Sequence, residues 1–323
     1  MSTTSVGDPM TIRIALVGFG QIARSHHVPA IAENPAFQLA AVVNPVDVAV
    51  PDGVPLLSSF AALQAEDIGV DAVAICTPPA IRPAVARQAL AAGLHVLLEK
   101  PPAATVAEAR NLGCLAAGNG CSIFAAWHSV FAAGVPVARA LIAAHGLQSM
   151  AITWRENADK WHPGATWLWG AEGFGVFDPG MNALSIALAT TGAALVPRAA
   201  DLTFRPGQEA PVTATVSFTL PDPKIAASAI FDSGYTGSDE TWTIDWTLGD
   251  GSPLVLSDGG ATLEHDGRRL ITPRAGDMSS LDQEYPALYR HFGDLITQAR
   301  SELDIRPLQI VTDILASGVR RAA

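Results

Sequence analysis

The first apolar run of the chain, residues 12–17, closes on Gly18-Phe19-Gly20-Gln21-Ile22-Ala23 and passes at once into residues with helical spacing. A strand that ends in a Gly-x-Gly-x-x-Ala turn and opens a helix has the form of a pyrophosphate site. The glycines let backbone approach the ligand, and the helix amides meet its charge. The same rhythm runs on to about Ser129. Apolar runs at 37–43, 71–76, 95–98 and 122–127 alternate with helical spacing at 21–34, 80–92 and 105–117, and Ser58-Ser59 offers hydroxyl caps for another helix. Strict alternation demands right-handed crossovers and a parallel sheet. The expected fold class is therefore α/β, with a Rossmann dinucleotide-binding domain over residues 1–129.

After a helix at 135–145 the pattern turns β-rich, with strands expected at 149–156, 201–205, 212–220, 225–232, 241–248, 253–257 and 261–265. Pro221-Asp222-Pro223, Ser233-Gly234, Gly249-Asp250-Gly251 and Asp258-Gly259-Gly260 separate them, as hairpins require. Helices are expected at 180–191, 285–300 and 307–321. Residues 130–323 thus read as an α+β domain for substrate binding and oligomerisation, built on a mostly antiparallel open sheet. The terminal helix is a candidate to pack back on the first domain.

Composition narrows the function. The 31 acidic against 20 basic residues give a net charge of -11, which argues against a nucleic-acid surface. With 49% hydrophobic and 16% charged residues, the chain has the balance of a well-buried protein. Two uncharged stretches, 111–138 and 179–197, are long enough to span a membrane. Both are interrupted by Gly, Pro, Asn or His and read better as pieces of a buried core. Residues 1–8 show no basic stretch or apolar block of a targeting segment. Cys76, Cys114 and Cys121 have neither disulfide nor metal spacing, so no metal is expected and the thiols suit a reducing cytoplasm.

The ligand crevice of an open parallel sheet lies beyond the carboxyl ends of its strands. Lys100 stands at such an end, in Glu99-Lys100-Pro101-Pro102, so a proton-handling group and a phosphate-binding turn are expected to face one crevice, with Glu99 and Lys100 among the cofactor-binding candidates. Thr77-Pro78 ends another strand, where prolines hold the backbone extended as a wall beside the cofactor. The second strand ends in Asn44-Pro45. An acid there would bond the ribose of NAD and an arginine would hold the phosphate of NADP; Asn44, with Asp47 beyond it and no adjacent arginine, leans to NAD and allows both.

Taken together, Gly18-x-Gly20-x-x-Ala23, Glu99-Lys100-Pro101 and Gly173-Phe174-Gly175-Val176-Phe177-Asp178-Pro179-Gly180-Met181-Asn182 resemble the glucose-fructose oxidoreductase/inositol dehydrogenase (Gfo/Idh/MocA) family. Trp161-His162-Pro163-Gly164, the continuation to Ser185, and Glu284-Tyr285-Pro286-Ala287-Leu288-Tyr289 are similar to its L-arabinose and D-galactose 1-dehydrogenase branch. Many relatives carry histidine where this chain has Asn182, a departure that fits the aldose branch.

The resemblance implies oxidation of an aldopyranose at C1 to a lactone, with hydride passing to NAD or NADP. Removing that hydride requires the anomeric hydroxyl to yield its proton. Lys100 and Asp178 are the candidates: a neutral Lys100 takes the proton itself, or a charged Lys100 polarises the hydroxyl while Asp178 accepts it. Asp178 and Asn182 are four apart and can share a helix face. Glu156 and His162 are candidates to grip sugar hydroxyls, one tryptophan of Trp161, Trp167 and Trp169 to offer an aromatic face, and His128 to lie near the nicotinamide. A non-catalytic dinucleotide- and sugar-binding regulator and a dehydrogenase of another polyol remain alternatives. Relatives cover the open sheet by pairing, so a homodimer is expected, its sheet presenting an apolar face.

Overall fold

A computed structural model describes residues 11–161, 163–170, 173–273 and 280–323. The chain divides into two compact units, one running to Ala126 and including Tyr285–Asp304, the other comprising Trp127–Glu284 and Ile305–Ala323. The division is therefore not a single cut near residue 129. The chain returns to its first unit late, and its last helix stays with the second.

The first unit is built on a parallel sheet of β1 (Ile12–Val17), β2 (Phe37–Val43), β3 (Leu56–Leu57), β4 (Ala72–Ile75), β5 (His95–Glu99) and β6 (Ile123–Ala126), in the order β3-β2-β1-β4-β5-β6. That order reverses between β1 and β4, which is the switch point where such sheets bind ligands. Every residue of β4 and of β6 is buried, as strands covered on both faces must be. Helices α1 (Val28–Ala32), α2 (Phe60–Ala65), α3 (Arg82–Ala91) and α4 (Val106–Gly118) connect the strands, and Ser59 and Thr105 cap α2 and α4.

The returning segment has a clear physical role. Its helix lays Tyr289 and Phe292 against Phe37, with ring centroids 5.4 and 6.1 Å apart. Residues beyond it seal the open edge of β6: Ala125 N–H donates to Glu302 O at 3.0 Å and Glu302 N–H to Ile123 O at 2.9 Å. An unpaired edge strand is a liability that this pairing removes.

The second unit holds a nine-stranded sheet. Its strands are β7 (Leu147–Arg155), β8 (Val196–Phe204), β9 (Thr213–Thr219), β10 (Ala226–Asp232), β11 (Thr241–Leu248), β12 (Pro253–Ser257), β13 (Thr262–His265), β14 (Arg268–Ile271) and β15 (Val319–Ala322). The order is β14-β13-β12-β11-β7-β10-β9-β8-β15, antiparallel except where β7 meets β10 and β8 meets β15. Its helices are α5 (Gly134–His145), the single turn α6 (Ala158–Trp161), α7 (Phe177–Thr191) and α9 (Arg306–Ser317), while α8 (Leu281–Thr297) starts here and continues into the first unit. One sheet face packs on α5, α7 and α9. Gly180 permits the close approach of α7, since a Cβ there would stand 3.2 Å from the Phe231 ring.

The other face carries Thr213, Thr215, Ser217 and Thr219 on β9 and Ala226, Ser228 and Ile230 on β10, all outside the buried core. It is small and hydroxylated rather than the apolar face expected, because antiparallel strands alternate apolar-in and polar-out. The two uncharged stretches are divided among separate elements, and no helix among the described residues is long and apolar enough to cross a membrane.

Candidate functional site

The glycine turn sits where three strands end. Gly18 N–H donates to Val43 O at 2.8 Å, and Cys76 N–H donates to Val17 O at 2.8 Å, which places Gly18 between the ends of β2 and β4. Its φ of +87° and a would-be Cβ only 2.9 Å from Thr77 N admit glycine alone. At Gly20, by contrast, a Cβ would meet nothing within 4 Å. The helix opens at Gln21 and Ile22, whose amides fall in the first turn, where no acceptor lies within the helix itself. Ala23 is fully buried beneath it. The Thr77 hydroxyl is buried with no hydrogen-bond partner, beside Pro78. An open cradle over a helix start, bordered by an orphaned hydroxyl, fits the phosphates of a dinucleotide.

Asn44 locks this end of the sheet. Its Oδ1 accepts from Phe19 N–H at 3.1 Å and its Nδ2 donates to Val46 O at 2.8 Å. One amide hydrogen and one lone pair of Asn44 thus serve the protein, and the other of each suits a ribose hydroxyl.

The single helix expected over 21–34 is interrupted by a π turn, Ala23–His27, closed by Val28 N–H on Ala23 O. Pro29 has no N–H for the regular ladder, and the wide turn accommodates it. The turn places His27 in the interior, fully buried. His27 Nε2 lies 3.0 Å from Glu99 Oε1, and Nδ1 lies 2.8 Å from the Tyr289 hydroxyl. Tyr285 donates to the same Glu99 oxygen at 2.6 Å, and Glu99 Oε2 accepts the backbone N–H of Lys100 at 2.9 Å. Burial penalises charge on His27, yet Cys76 and Tyr289, with hydrogen bonds to Cys76 and Glu99, outweigh it and raise its pKa well above 6.5. Burial likewise pushes the Tyr289 hydroxyl up to about 12. Lys100 itself is half-buried at the strand end. Arg82, only 3% exposed, donates to the Thr77 carbonyl at 2.5 Å and to the carbonyls of Glu99 and Pro101.

In the second unit, Asp178 and Asn182 occupy successive turns at the start of α7 and both are buried. Asp178 lies inside the first turn, where the helix dipole favours a carboxylate. Asn182 Oδ1 is buried with no hydrogen-bond partner. His128 belongs to a short 3-10 turn, His128–Phe131, that packs on α7. Its Nδ1 lies 2.6 Å from Glu284 Oε2. Glu156 follows β7 and accepts the indole N–H of Trp154 at 2.6 Å. Trp154 pairs across strands with Trp242, with ring centroids 5.1 Å apart, and the Trp242 N–H is buried without an acceptor. Trp161 ends α6, and His162 lies outside the described residues. Trp167 is 47% exposed, whereas the Arg205 guanidinium covers the Trp169 ring at 5.5 Å.

Sequence reasoning missed His27, Arg82 and Trp242, and read Glu284, Tyr285 and Tyr289 only as parts of a resemblance. A signal existed for some of them: a carboxylate ending a buried apolar strand, as Glu99 does, demands buried donors. No group of three metal-ligating side chains occurs among the described residues.

Residues 12–126 match the oxidoreductase family described as having an NAD-binding Rossmann fold. The chain is 40% identical over 311 residues to a galactose 1-dehydrogenase of Pseudomonas fluorescens, covering 96% of each protein. The crystal structure of a D-galactose-1-dehydrogenase from Rhizobium etli superposes with a TM-score of 0.90 at 38% identity over 98% of both chains. A 3-ketoreductase from Actinomadura kijaniata, solved with NADP, shares the fold at a TM-score of 0.79 and 17% identity, over 97% of this chain and 99% of its own.

Proposed function

Because the chain belongs to the Gfo/Idh/MocA oxidoreductase family, we propose that it is an aldose 1-dehydrogenase that converts a D-galactose- or L-arabinose-type pyranose to its lactone. The observation that carries this reading is Asn182: a buried amide oxygen with no partner, one turn after Asp178, in a chain 40% identical to a galactose 1-dehydrogenase. A buried acceptor left unmet by the protein is costly and calls for a ligand donor, which a sugar hydroxyl supplies.

A bound nicotinamide dinucleotide supplies the hydride acceptor, held by Gly18, Gly20, Gln21, Ile22, Ala23, Asn44, Thr77 and Pro78. Lys100 and Asp178 handle the anomeric proton. Either neutral Lys100 accepts it, or charged Lys100 polarises the anomeric oxygen and Asp178 takes the proton. Asn182 accepts from one sugar hydroxyl, Glu156 and His162 grip others, and Trp161 offers a face to the C–H side. His128 orients the sugar, and the unmet Trp242 N–H supplies a donor. An epimer would leave one of these buried groups unpaired, which is the basis of sugar choice.

Asn44, with Asp47 close by and no adjacent arginine, favours NAD over NADP. The three cysteines are free, which suits the reducing cytoplasm. The outer sheet face, with small side chains at Ala151, Ser217, Ala226 and Ser228 around exposed Ile230, suits flat pairing of two chains in a homodimer. A light-scattering mass of one chain at working concentration would remove the dimer.

The test of function is an absorbance screen for NADH and NADPH with D-galactose, L-arabinose, D-xylose and D-glucose. We expect the largest kcat/KM with D-galactose or L-arabinose and NAD, and loss of most turnover in Lys100→Met and Asp178→Ala. Dinucleotide binding without reduction by any sugar would make the protein a binding regulator instead.

A further inference from the structure

Glu99 is 4% exposed, and burying a carboxylate is expensive unless its oxygens are paired. The fold invests a fully buried histidine and two tyrosines from a helix far along the chain in meeting it. Packing does not require this, since an apolar residue at 99 against phenylalanines would fill comparable space without the desolvation cost. Toward the strand end, the network delivers a bond from Glu99 Oε2 to the backbone N–H of Lys100. Arg82 grips the same place from its other side, donating to the carbonyls of Glu99 and Pro101, which flank Lys100. It also holds Thr77 O, beside the dinucleotide turn.

The parts are matched. Ionised Glu99 can only accept, so His27 Nε2 carries a proton toward it. The Tyr289 hydroxyl turns to suit His27 Nδ1, donating to a neutral ring and accepting from a charged one. Tyr285 and Tyr289 are four apart on α8 and so reach His27 and Glu99 from one helix face. The backbone of Lys100 is therefore held at its own amide and at the carbonyls before and after it.

We propose that Arg82 and the chain Tyr285–Glu99–His27–Tyr289 are positioning residues that fix the backbone of Lys100 and so present its ammonium group in one orientation. This rests on the role given to Lys100 above. The contribution of Glu99, Tyr285, His27 and Tyr289 falls on the reacting step, because their bonds converge on the backbone of Lys100, whereas Arg82 also supports the dinucleotide wall at Thr77 O.

The experiment compares Glu99→Gln, Tyr285→Phe and Lys100→Met by kcat, sugar KM, dinucleotide Kd from fluorescence, and Tm. Glu99→Gln and Tyr285→Phe are expected to lower kcat by about 10-fold or more, with KM and Kd held within about 3-fold. Glu99→Gln in the Lys100→Met background is expected to cost no further activity, since both changes act through one side chain. If Glu99→Gln fails to fold, Tyr285→Phe, which removes a single oxygen, carries the comparison. A fall in Tm with kcat unchanged would make the network purely structural and overturn the proposal. Lys100→Met that is inactive beside Glu99→Gln at full kcat overturns this proposal alone. Lys100→Met with near-normal turnover removes both it and the reading of Lys100.

Discussion

His128 Nδ1 stands 2.6 Å from Glu284 Oε2, and the two residues are 7% and 0% exposed. An ionised carboxylate has no hydrogen to give, so Nδ1 carries the proton and the ring orientation is set by Glu284. Removing the carboxylate takes away the short bond and leaves that N–H the longer contact with the Ser129 hydroxyl at 3.3 Å, at a cost of about 1–3 kcal/mol. Glu284→Ala should therefore raise the sugar KM by about 10-fold while leaving dinucleotide Kd unchanged. Steady-state kinetics with each substrate varied in turn checks this. An unchanged sugar KM would take His128 out of the sugar site.

Replacing Asn182 should separate stability from activity. Because its Oδ1 is already unmet, truncating it removes no hydrogen bond at that atom from the empty protein. Asn182→Ala should keep the apo Tm within about 2 °C yet raise the sugar KM by about 10- to 100-fold. Calorimetry of the apo protein beside a sugar titration separates the two. A large Tm loss with an unaltered KM would make Asn182 a structural residue.

The contrast between these two sites explains what the sequence discloses. Asp178 and Asn182 are readable because four-residue spacing on a helix puts both on one face. His27 and Tyr289 are 262 positions apart, and His128 and Glu284 are 156 apart, so no local pattern links either pair. The same holds for the fold. Strand β4 reads as an unbroken apolar run, and β1 and β2 as apolar runs interrupted only by Arg13 and Gln38 near their starts, because parallel strands are buried on both faces. β15 escapes notice because Val-Arg-Arg-Ala is exposed throughout and merges with the helical spacing before it, where Gly318 ends α9. β3 is only two residues long and half-buried, too short to display a period.

Gly18 and Gly20 lie two residues apart but should fail differently. Gly18→Ala forces a side chain into φ +87° and against the Thr77 backbone at 2.9 Å, so it should lower Tm by several degrees as well as weaken dinucleotide binding. Gly20→Ala meets open space and no positive φ, so Tm should hold. Its methyl group would occupy the cradle over the helix start, raising dinucleotide Kd by about 10-fold or more. Equal Kd for Gly20→Ala and the parent protein would move the phosphate site elsewhere.

Two histidines of the first unit should bend its stability curve in opposite directions with pH. Burial lowers the pKa of His95, with Asp71 acting against it, and His95 Nδ1 accepts Ser122 N–H at 2.9 Å, which needs the neutral ring. Its folded pKa lies below the unfolded value near 6.5, so its contribution is present above about pH 6.5 and is lost as pH falls through the folded value. His27 is raised, so its contribution is complete below about pH 6.5 and is lost as pH climbs through its folded pKa. His95→Gln should therefore flatten the acid limb of a Tm-against-pH curve and His27→Gln the alkaline limb, each by a few degrees. The unit carries both penalties for different reasons: His95 accepts a backbone amide at the entry to β6, which a charged ring would forfeit, whereas Cys76, Tyr289 and Glu99 favour the charge on His27, whose Nε2–H donates to the carboxylate behind Lys100. Parallel alkaline limbs for His27→Gln and the parent protein would show that the Glu99 network does not hold the proton on His27.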